Sequence, residues 1–316
     1  MPDIPVWPEC DIHCVFCSNP LRGFRGTSER YSLDEFRRKW ELYRSGQKVF
    51  LKFDGRRDFC SLTGGEPTLH PHFLRILRIL RHDCPGRRIR LLTNARRFSS
   101  AEFAALCLRV GRTPFEVAVP VFGCDAASHE SISRTRGSFA QTLKGLENLF
   151  RYRRPGQRVE ARVILHRIQL PHLGRLIDFL GTKFPELDAL ELLFVEIEGH
   201  AEARWKDLRV TMRECAREVD RLLPALSRLR EFRLLHFPLC VVPRRLWPKV
   251  WNTLDPIKVC FPVKCASCVV RDRCVGVHAS YARHMGCAEF RPVRARPDCP
   301  VSGSAFHPFL EREEES

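Results

Sequence analysis

The sequence predicts an α/β fold: a run of β/α units followed by a small cysteine-rich C-terminal domain. Three observations predict it. Apolar strand-like segments alternate with amphipathic helix-like segments from residue 32 to residue 193. The unusual residues gather at the ends of the strand-like segments. Beyond about Ala203 the alternation gives way to an arginine-rich helical stretch, then to closely spaced prolines and cysteines. One strand per helix favours a parallel sheet covered by helices over any all-α or all-β plan. At 316 residues and 44% apolar content, the chain suffices for one large domain with an appendage or for two ordinary domains.

The first helix is signalled by Ser32 and Glu35, spaced as a capping box, with Phe36, Trp40, Leu42 and Tyr43 as its apolar face. Asp54-Gly55, between apolar runs at 49–53 and 59–62, predicts a hairpin turn leading into a strand that ends at Gly64. Helical stripes follow at 73–81, 101–110, 139–152 and 173–184, and buried strands at 89–93, 115–121, 159–165 and 190–195. The strand ends carry Gly64-Gly65-Glu66-Pro67, Thr93-Asn94 and Phe122-Gly123, where α/β barrels place their active sites. A domain boundary near Gly199 divides the chain into 1–199 and 200–316.

The formal charge of +16, from 53 basic and 37 acidic residues, could be a footprint for nucleic acid or for an acidic peptide, but arginine is spread along the chain without a dense block. The first eight residues carry no basic n-region and no apolar h-region, and the apolar stretch at 73–80 is interrupted by Arg75 and Arg78. The expectation is a soluble cytoplasmic protein with no membrane partner. Fifteen cysteines, an odd number in a chain of this size, then read as reduced thiolates for metal rather than disulfides. The acidic tail at 311–316 is expected to fray.

Cys10, Cys14 and Cys17 form C-x3-C-x2-C just before the first helix. Structural zinc and electron-transfer clusters take four protein ligands, whereas a cluster on three thiolates keeps one iron open for a substrate molecule. Zinc, with His13 or a distant cysteine as fourth ligand, is the alternative.

This triplet, with the aromatic Phe16 before its last cysteine and Gly64-Gly65-Glu66-Pro67 after a predicted strand, resembles the radical S-adenosylmethionine (SAM) superfamily. The resemblance implies a partial (β/α)6 TIM-like barrel. It implies a [4Fe-4S] cluster on Cys10, Cys14 and Cys17 with SAM on the open iron, and a flavodoxin or ferredoxin as electron donor. Phe16 and the Gly64, Gly65, Glu66, Pro67 turn would then border SAM, with Thr93 and Asn94 at its ribose. Val121-Phe122-Gly123-Cys124 replaces the Ser-Leu/Ile-Asp-Gly run often seen there, which leaves the SAM carboxylate to Arg134 or Arg136. In such enzymes an electron passed to the sulfonium yields methionine and a 5′-deoxyadenosyl radical, which takes a hydrogen from the substrate.

Cys265, Cys268 and Cys274 form C-x2-C-x5-C, and Cys240 or Cys260 could complete a four-thiolate site for zinc or iron–sulfur. After a barrel, this spacing resembles the SPASM/twitch extensions of radical SAM enzymes, which implies an auxiliary [4Fe-4S] cluster with Cys240 as fourth ligand. Glu196-Ile197-Glu198-Gly199-His200-Ala201, Pro238-Leu239-Cys240, Asp255, Lys258 and Cys274-Val275-Gly276 are together similar to the His-Xaa-Ser system radical SAM maturases. That implies a small, ribosomally synthesised peptide as substrate, to be crosslinked or oxidised at a side chain. With nine residues before Cys10, peptide capture is expected to fall to the barrel, the C-terminal domain or a separate partner. Two other functions compete: modification of RNA or of a nucleotide or cofactor precursor, and non-catalytic metal binding at two sites. Cys287 and Cys299 could ligate a further cluster or exchange with Cys260, while Cys60, Cys84, Cys107, Cys124 and Cys215 read as core residues, Cys124 at the barrel mouth.

Overall fold

A computed structural model describes residues 2–19, 29–52, 59–304 and 306–311. Its sheet begins one element earlier than the sequence predicts, with β1 at Pro2–Trp7, whose Ile4 and Val6 are buried. After the predicted helix α1 (Leu33–Arg44) comes β2 (Leu51–Lys52), then β3 (Phe59–Gly64). The capping role of Ser32 is as expected, its hydroxyl accepting from Glu35 N at 3.1 Å. β2 and β3 do not form a hairpin: β1 lies between them, antiparallel to β2 and parallel to β3. An apolar N-terminal strand takes the pairing edge that a hairpin would have used, and β2 is left at the sheet's margin. The turn at Asp54-Gly55 lies outside the described residues, as does most of the acidic tail.

The repeating units follow as read, with one short helix at Ala126–Ser133 that the sequence pattern did not predict. They are α2 (Phe73–Asp83), β4 (Arg88–Leu92), α3 (Ala101–Gly111), β5 (Phe115–Pro120), α4 (Ala126–Ser133), α5 (Ser138–Tyr152), β6 (Gln157–Leu165), α6 (Leu173–Lys183) and β7 (Ala189–Phe194). Helix α2 shows why: Phe73, Ile76, Leu77 and Leu80 fall on one face, and all four are buried. The strands are apolar on both faces because helices cover one side and the barrel interior the other. The order β1-β3-β4-β5-β6-β7 is parallel throughout, the arrangement of a partial (β/α)6 TIM-like barrel.

Past Gly199 the arginine-rich stretch is not one helix but four: α7 (Gly199–Ala203), α8 (Trp205–Leu208), α9 (Met212–Arg221) and α10 (Leu223–Leu226). Thr211 and Glu214 form a full capping box that starts α9 anew, and Pro224 stands at the head of α10. The sheet continues through β8 (Phe232–Leu235) and β9 (Val250–Trp251), both parallel. The cysteine-rich part adds only β10 (Val259–Cys260) paired with β11 (Val277–His278), and α11 (Ala279–Met285). Among the described residues no helix is long and apolar enough to cross a membrane.

One buried cation ties the lower rim. Arg81, on α2, donates to the carbonyls of Gly111 (2.6 Å), Cys84 (3.2 Å), Pro85 (3.1 Å), Arg87 (2.8 Å) and Pro114 (2.8 Å). Those carbonyls close the turns before β4 and β5; Cys84 O and Pro114 O also accept from Arg87 N (3.3 Å) and Ile89 N (3.1 Å), while Gly111 O and Pro85 O look to the guanidinium. Arg81→Met should therefore lower the unfolding free energy by about 3 kcal/mol, read from the denaturant midpoint, through unsatisfied acceptors rather than lost apolar area.

Candidate functional site

A cavity of about 470 Å³ opens at the C-terminal end of the parallel strands. The cysteine loop forms one wall, with Cys10, Cys14, Phe16 and Cys17; Gly64, Gly65, Glu66, Thr93 and Asn94 form the next. Four chain segments hold the loop in place. Gly65 N donates to Trp7 O and Glu66 N to Glu9 O, each at 2.7 Å. His13 N reaches Ser133 O (2.9 Å) and Val15 N reaches Ile132 O (3.0 Å), both at the end of α4. His200 N donates to Cys17 O at 2.8 Å. Asn94 Nδ2 donates to Asp11 Oδ1 at 2.7 Å and stands 3.8 Å from Cys10 Sγ, while Arg96 pairs with Asp11 Oδ2 at 2.9 Å.

The two glycines are there because backbone passes against them. A Cβ on Gly64, where φ is +128°, would fall 2.4 Å from Trp7 O, and one on Gly65 would fall 2.2 Å from Glu9 O. Glu66 is wholly buried and accepts from Thr68 N (3.0 Å), Thr68 Oγ1 (2.6 Å), Thr93 Oγ1 (2.7 Å) and Asn94 N (2.7 Å). Burial pushes its carboxyl up, and those four donors work the other way. Glu66 thus ties the end of β3 to the end of β4; Pro67 begins the 3-10 turn after it. Thr142 on α5 donates to Asn94 O at 3.0 Å, which fixes the Thr93-Asn94 turn from outside.

Burial pushes the Cys10 thiol up to about 12, and burial with the neighbouring Cys17 and Cys10 sulfurs raises Cys14 further; Cys17 is raised by burial as well. Three thiolates packed this way are costly without a cation between them, so the donor set fits an iron–sulfur cluster. No other cysteine borders the cavity, and His13, the candidate fourth ligand for zinc, is exposed and away from it. Arg134 and Arg136, expected near SAM, are also exposed and do not border the cavity. Arg134 sits in the left-handed turn that ends α4 and points the chain away. The basic side chains on the cavity wall are instead Arg90, Arg162 and Lys258. Cys124 stands beside Asp125 and does not border the cavity either.

The cavity floor is ionic, a feature no motif in the sequence announces. Arg90 meets Glu116 at 2.8 Å, Glu160 at 3.2 Å and Glu191 at 2.6 Å; Arg162 meets Glu191 at 2.8 Å, and Arg233 meets Glu160 at 3.2 Å. The signal was charge set among apolar strand residues, single in β5, β7 and β8 but double in β4 and triple in β6, at positions the parallel register sets side by side: Arg90 beside Glu116, Arg162 beside Glu191, Glu191 beside Arg233. The far wall carries Glu196, His236, Asp255 and Lys258. Lys258 Nζ bridges Glu196 (2.9 Å) and Glu198 (2.8 Å), and His278 Nε2 lies 3.7 and 3.5 Å from the same two carboxylates. Burial opposes the charge on Glu196, but His278, His236 and Lys258 hold its carboxyl well below the usual range.

Cys240, Cys265, Cys268 and Cys274 line one small separate pocket with Leu239 and Gly276. The Cys274 sulfur accepts from Leu239 N and Gly276 N, and the Cys268 sulfur from Val293 N, each at 3.4 Å. Burial pushes the Cys274 thiol up to about 12 against those two donors. Cys260 lies outside this pocket, close to Cys287, and Cys299 borders a different surface cleft with Trp247. Cys60, Cys107 and Cys215 are buried, and Cys84 is half-buried.

A family model described as the radical SAM superfamily matches residues 4–180. Among solved structures, Streptococcus suis SuiB bound to its precursor peptide SuiA is similar at a TM-score of 0.53 and 13% identity, over 72% of this chain and 47% of SuiB. SuiB bound to S-adenosylmethionine is similar at 0.50 and 13%, over 73% and 49%. At these identities the likeness is one of fold, and the chain spans about half the length of the solved structures it matches. No curated protein sequence matches it.

Behind Phe16 lies a buried histidine with a measurable signature. The His166 ring packs 5.4 Å from that of Phe16, neither nitrogen has a hydrogen-bond partner, and burial alone pushes its pKa down to about 3. A histidine depressed in the folded state costs stability as pH falls below its unfolded value of about 6.5, because the unfolded chain binds the proton first. His166→Phe should thus stabilise the protein by about 2 kcal/mol more at pH 5 than at pH 7.5, read from denaturant midpoints at the two pH values.

Proposed function

The chain belongs to the radical SAM superfamily, and we propose that it cleaves SAM reductively at Cys10, Cys14 and Cys17 and uses the radical to modify a ribosomally synthesised peptide. The observation that carries the first half is the meeting of the cysteine loop, Gly64 to Glu66 and Thr93-Asn94 across one cavity. When bound, a [4Fe-4S] cluster on the three thiolates supplies one electron and an open coordination position for SAM. The protein does the rest. Residues 64–67 offer backbone groups to the methionine end, Thr93 and Asn94 stand where the ribose would lie, and Phe16 presents an aromatic edge to the remainder. Arg134 and Arg136 both stand off the cavity, and the basic groups on its wall that are candidates for the carboxylate are Arg90, Arg162 and Lys258, each also paired with a carboxylate of the protein.

For the second site, Cys240, Cys265, Cys268 and Cys274 are our choice of ligands in an auxiliary, SPASM/twitch-like domain at 200–316, following a barrel domain at 1–199. Iron–sulfur is favoured over zinc by spacing. Thiolates about 2.3 Å from one tetrahedral zinc lie about 4 Å apart. Among the described residues no three cysteine sulfurs lie within 4.8 Å of one another, a spacing that supports a cluster over a single zinc ion. A peptide substrate, crosslinked or oxidised at a side chain, is supported by the motif likeness around Glu196 to Ala201 and Lys258. SuiB, whose fold this chain shares, has been solved with its precursor peptide. The alternative, an RNA, nucleotide or cofactor-precursor substrate, rests on the +16 charge. A cytoplasmic setting follows from thiols kept reduced for metal.

Anaerobic reconstitution tests the first half. Wild type should bind about eight irons and release 5′-deoxyadenosine from SAM; Cys14→Ala should bind about four and release none, with an unchanged far-ultraviolet spectrum. Cleavage by iron-loaded Cys14→Ala, or none by wild type, would sink the assignment. Mass spectrometry of a short peptide encoded beside the gene, co-expressed with the enzyme, tests the second half: the expected product lacks two hydrogens.

A further inference from the structure

Most of the large exposed apolar side chains among the described residues lie in one stretch beside the second cysteine pocket. Ile257 is 84% exposed, Phe261 38%, Val263 94% and Val269 52%. Arg271 lies over the Phe261 ring, Arg291 borders the same pocket, and Arg273, Arg294 and Arg296 follow on the same two segments, all five exposed. The two segments share a face because Val269 N donates to Val293 O at 3.0 Å and Val293 N to Cys268 Sγ at 3.4 Å. Across 257–273 and 290–297 the only carboxylate is Asp272; Asp298, just beyond, is drawn to Arg244 at 3.9 Å. An apolar centre ringed by arginines and almost free of acids suits an acidic protein surface.

The patch is also the cover of the four-cysteine pocket. Phe261, Arg271 and Arg291 border that pocket, and Cys265 and Cys268 belong to the patch segment itself. We propose that this face docks an acidic one-electron carrier protein, a flavodoxin or ferredoxin, and that the electrons for SAM cleavage enter through the pocket beneath it. The inference rests on the iron–sulfur reading of Cys240, Cys265, Cys268 and Cys274. In each transfer the carrier is oxidised by one electron. That electron, delivered to SAM, breaks the bond between sulfur and C5′ to leave methionine and the 5′-deoxyadenosyl radical, and no proton moves. Nucleic acid is the lesser fit. Its strands are held by aromatic stacking beside basic groups; here the most exposed apolar groups are aliphatic, and the Phe261 ring is already covered by Arg271 at 5.3 Å.

The test compares two reductants on the reconstituted enzyme, reduced flavodoxin and dithionite, with 5′-deoxyadenosine as readout. The variant is Val263→Asp with Arg294→Glu and Arg296→Glu, none of which borders either cysteine site. Flavodoxin-driven cleavage should fall at least about tenfold in the variant, and in wild type should fall with added salt, while dithionite-driven cleavage stays at the wild-type rate. Calorimetric binding of oxidised flavodoxin should be lost in parallel. Equal flavodoxin binding and equal flavodoxin-driven rates in variant and wild type overturn the proposal, as does a variant that loses only its retention of poly(U), which would assign the face to nucleic acid. Failure of wild type with dithionite would defeat the SAM-cleavage reading instead, and the binding measurement would still decide this one.

Discussion

The close approach of two strand ends governs the candidate site. β1 and β3 run parallel, and the chain leaving β1 becomes the cysteine loop within three residues. For that loop to arch over the cavity, the backbone of Trp7 to Glu9 must lie against the end of β3, where a Cβ would occupy the space of a carbonyl oxygen. Only glycine meets that demand at Gly64 and Gly65, and the amides of Gly65 and Glu66 use the approach to bind the oxygens that crowd them. Glu66 then joins the contact to β4 through Thr93 and Asn94, and Asn94 returns to the loop at Asp11. The circuit runs loop, β3, β4, loop. A change at any station is felt at the sulfurs.

A barrel interior lined only with aliphatic groups would leave these strand ends over a dry floor. Here the floor is ionic, with Arg90, Arg162 and Arg233 facing Glu116, Glu160 and Glu191 across neighbouring strands. Isolated, any of these charges would be expelled from so buried a position; paired with one another, and with Arg158 and Glu231 at the edge of the group, they satisfy one another. Burial and Glu116 push the Glu160 carboxyl up, which makes it the readier of the two to take a proton, while Arg90 and Arg162 hold Glu191 down in its charged form. Arg90 and Arg162 remain on the cavity wall with Lys258, each held by carboxylates, which gives the site a cationic surface fixed in place.

The repeating units were legible because each strand is a short apolar run and each helix carries a full stripe; β4 to β7 and their helices lie within a few residues of their predicted places. The two cysteine sets were legible through spacing, since local loops gather Cys10, Cys14 and Cys17, and Cys265, Cys268 and Cys274. What the sequence hid was non-local. β1, with Pro2 and Pro5, shows no strand pattern until β3 is beside it, β8 and β9 are too short to show a period, and nothing near Arg134 or Arg136 reveals that both stand exposed off the cavity. The strand charges were visible one at a time. Their meaning lies in the parallel register, which no single strand displays.

The same non-local logic joins the two cysteine sites through residues 196–200. His200 N holds Cys17 O, and Gly199 takes φ +58° with its α-carbon so near Asn19 that a Cβ would sit 2.1 Å from the Asn19 carbonyl oxygen. Two residues earlier, Glu198 and Glu196 grip Lys258, which precedes β10, and face His278, which ends β11. Those strands pair with each other and flank Cys265, Cys268 and Cys274 on both sides. A segment shorter than two helical turns therefore fixes the last cysteine of one set by backbone hydrogen bonds and frames the other by buried charge. Loss of Lys258 would leave two carboxylates facing each other in the wall, so the tie is also what makes that wall affordable in free energy. The relative placement of the two sites is thus set not by the sheet that separates them in sequence but by this short crossing at its C-terminal edge.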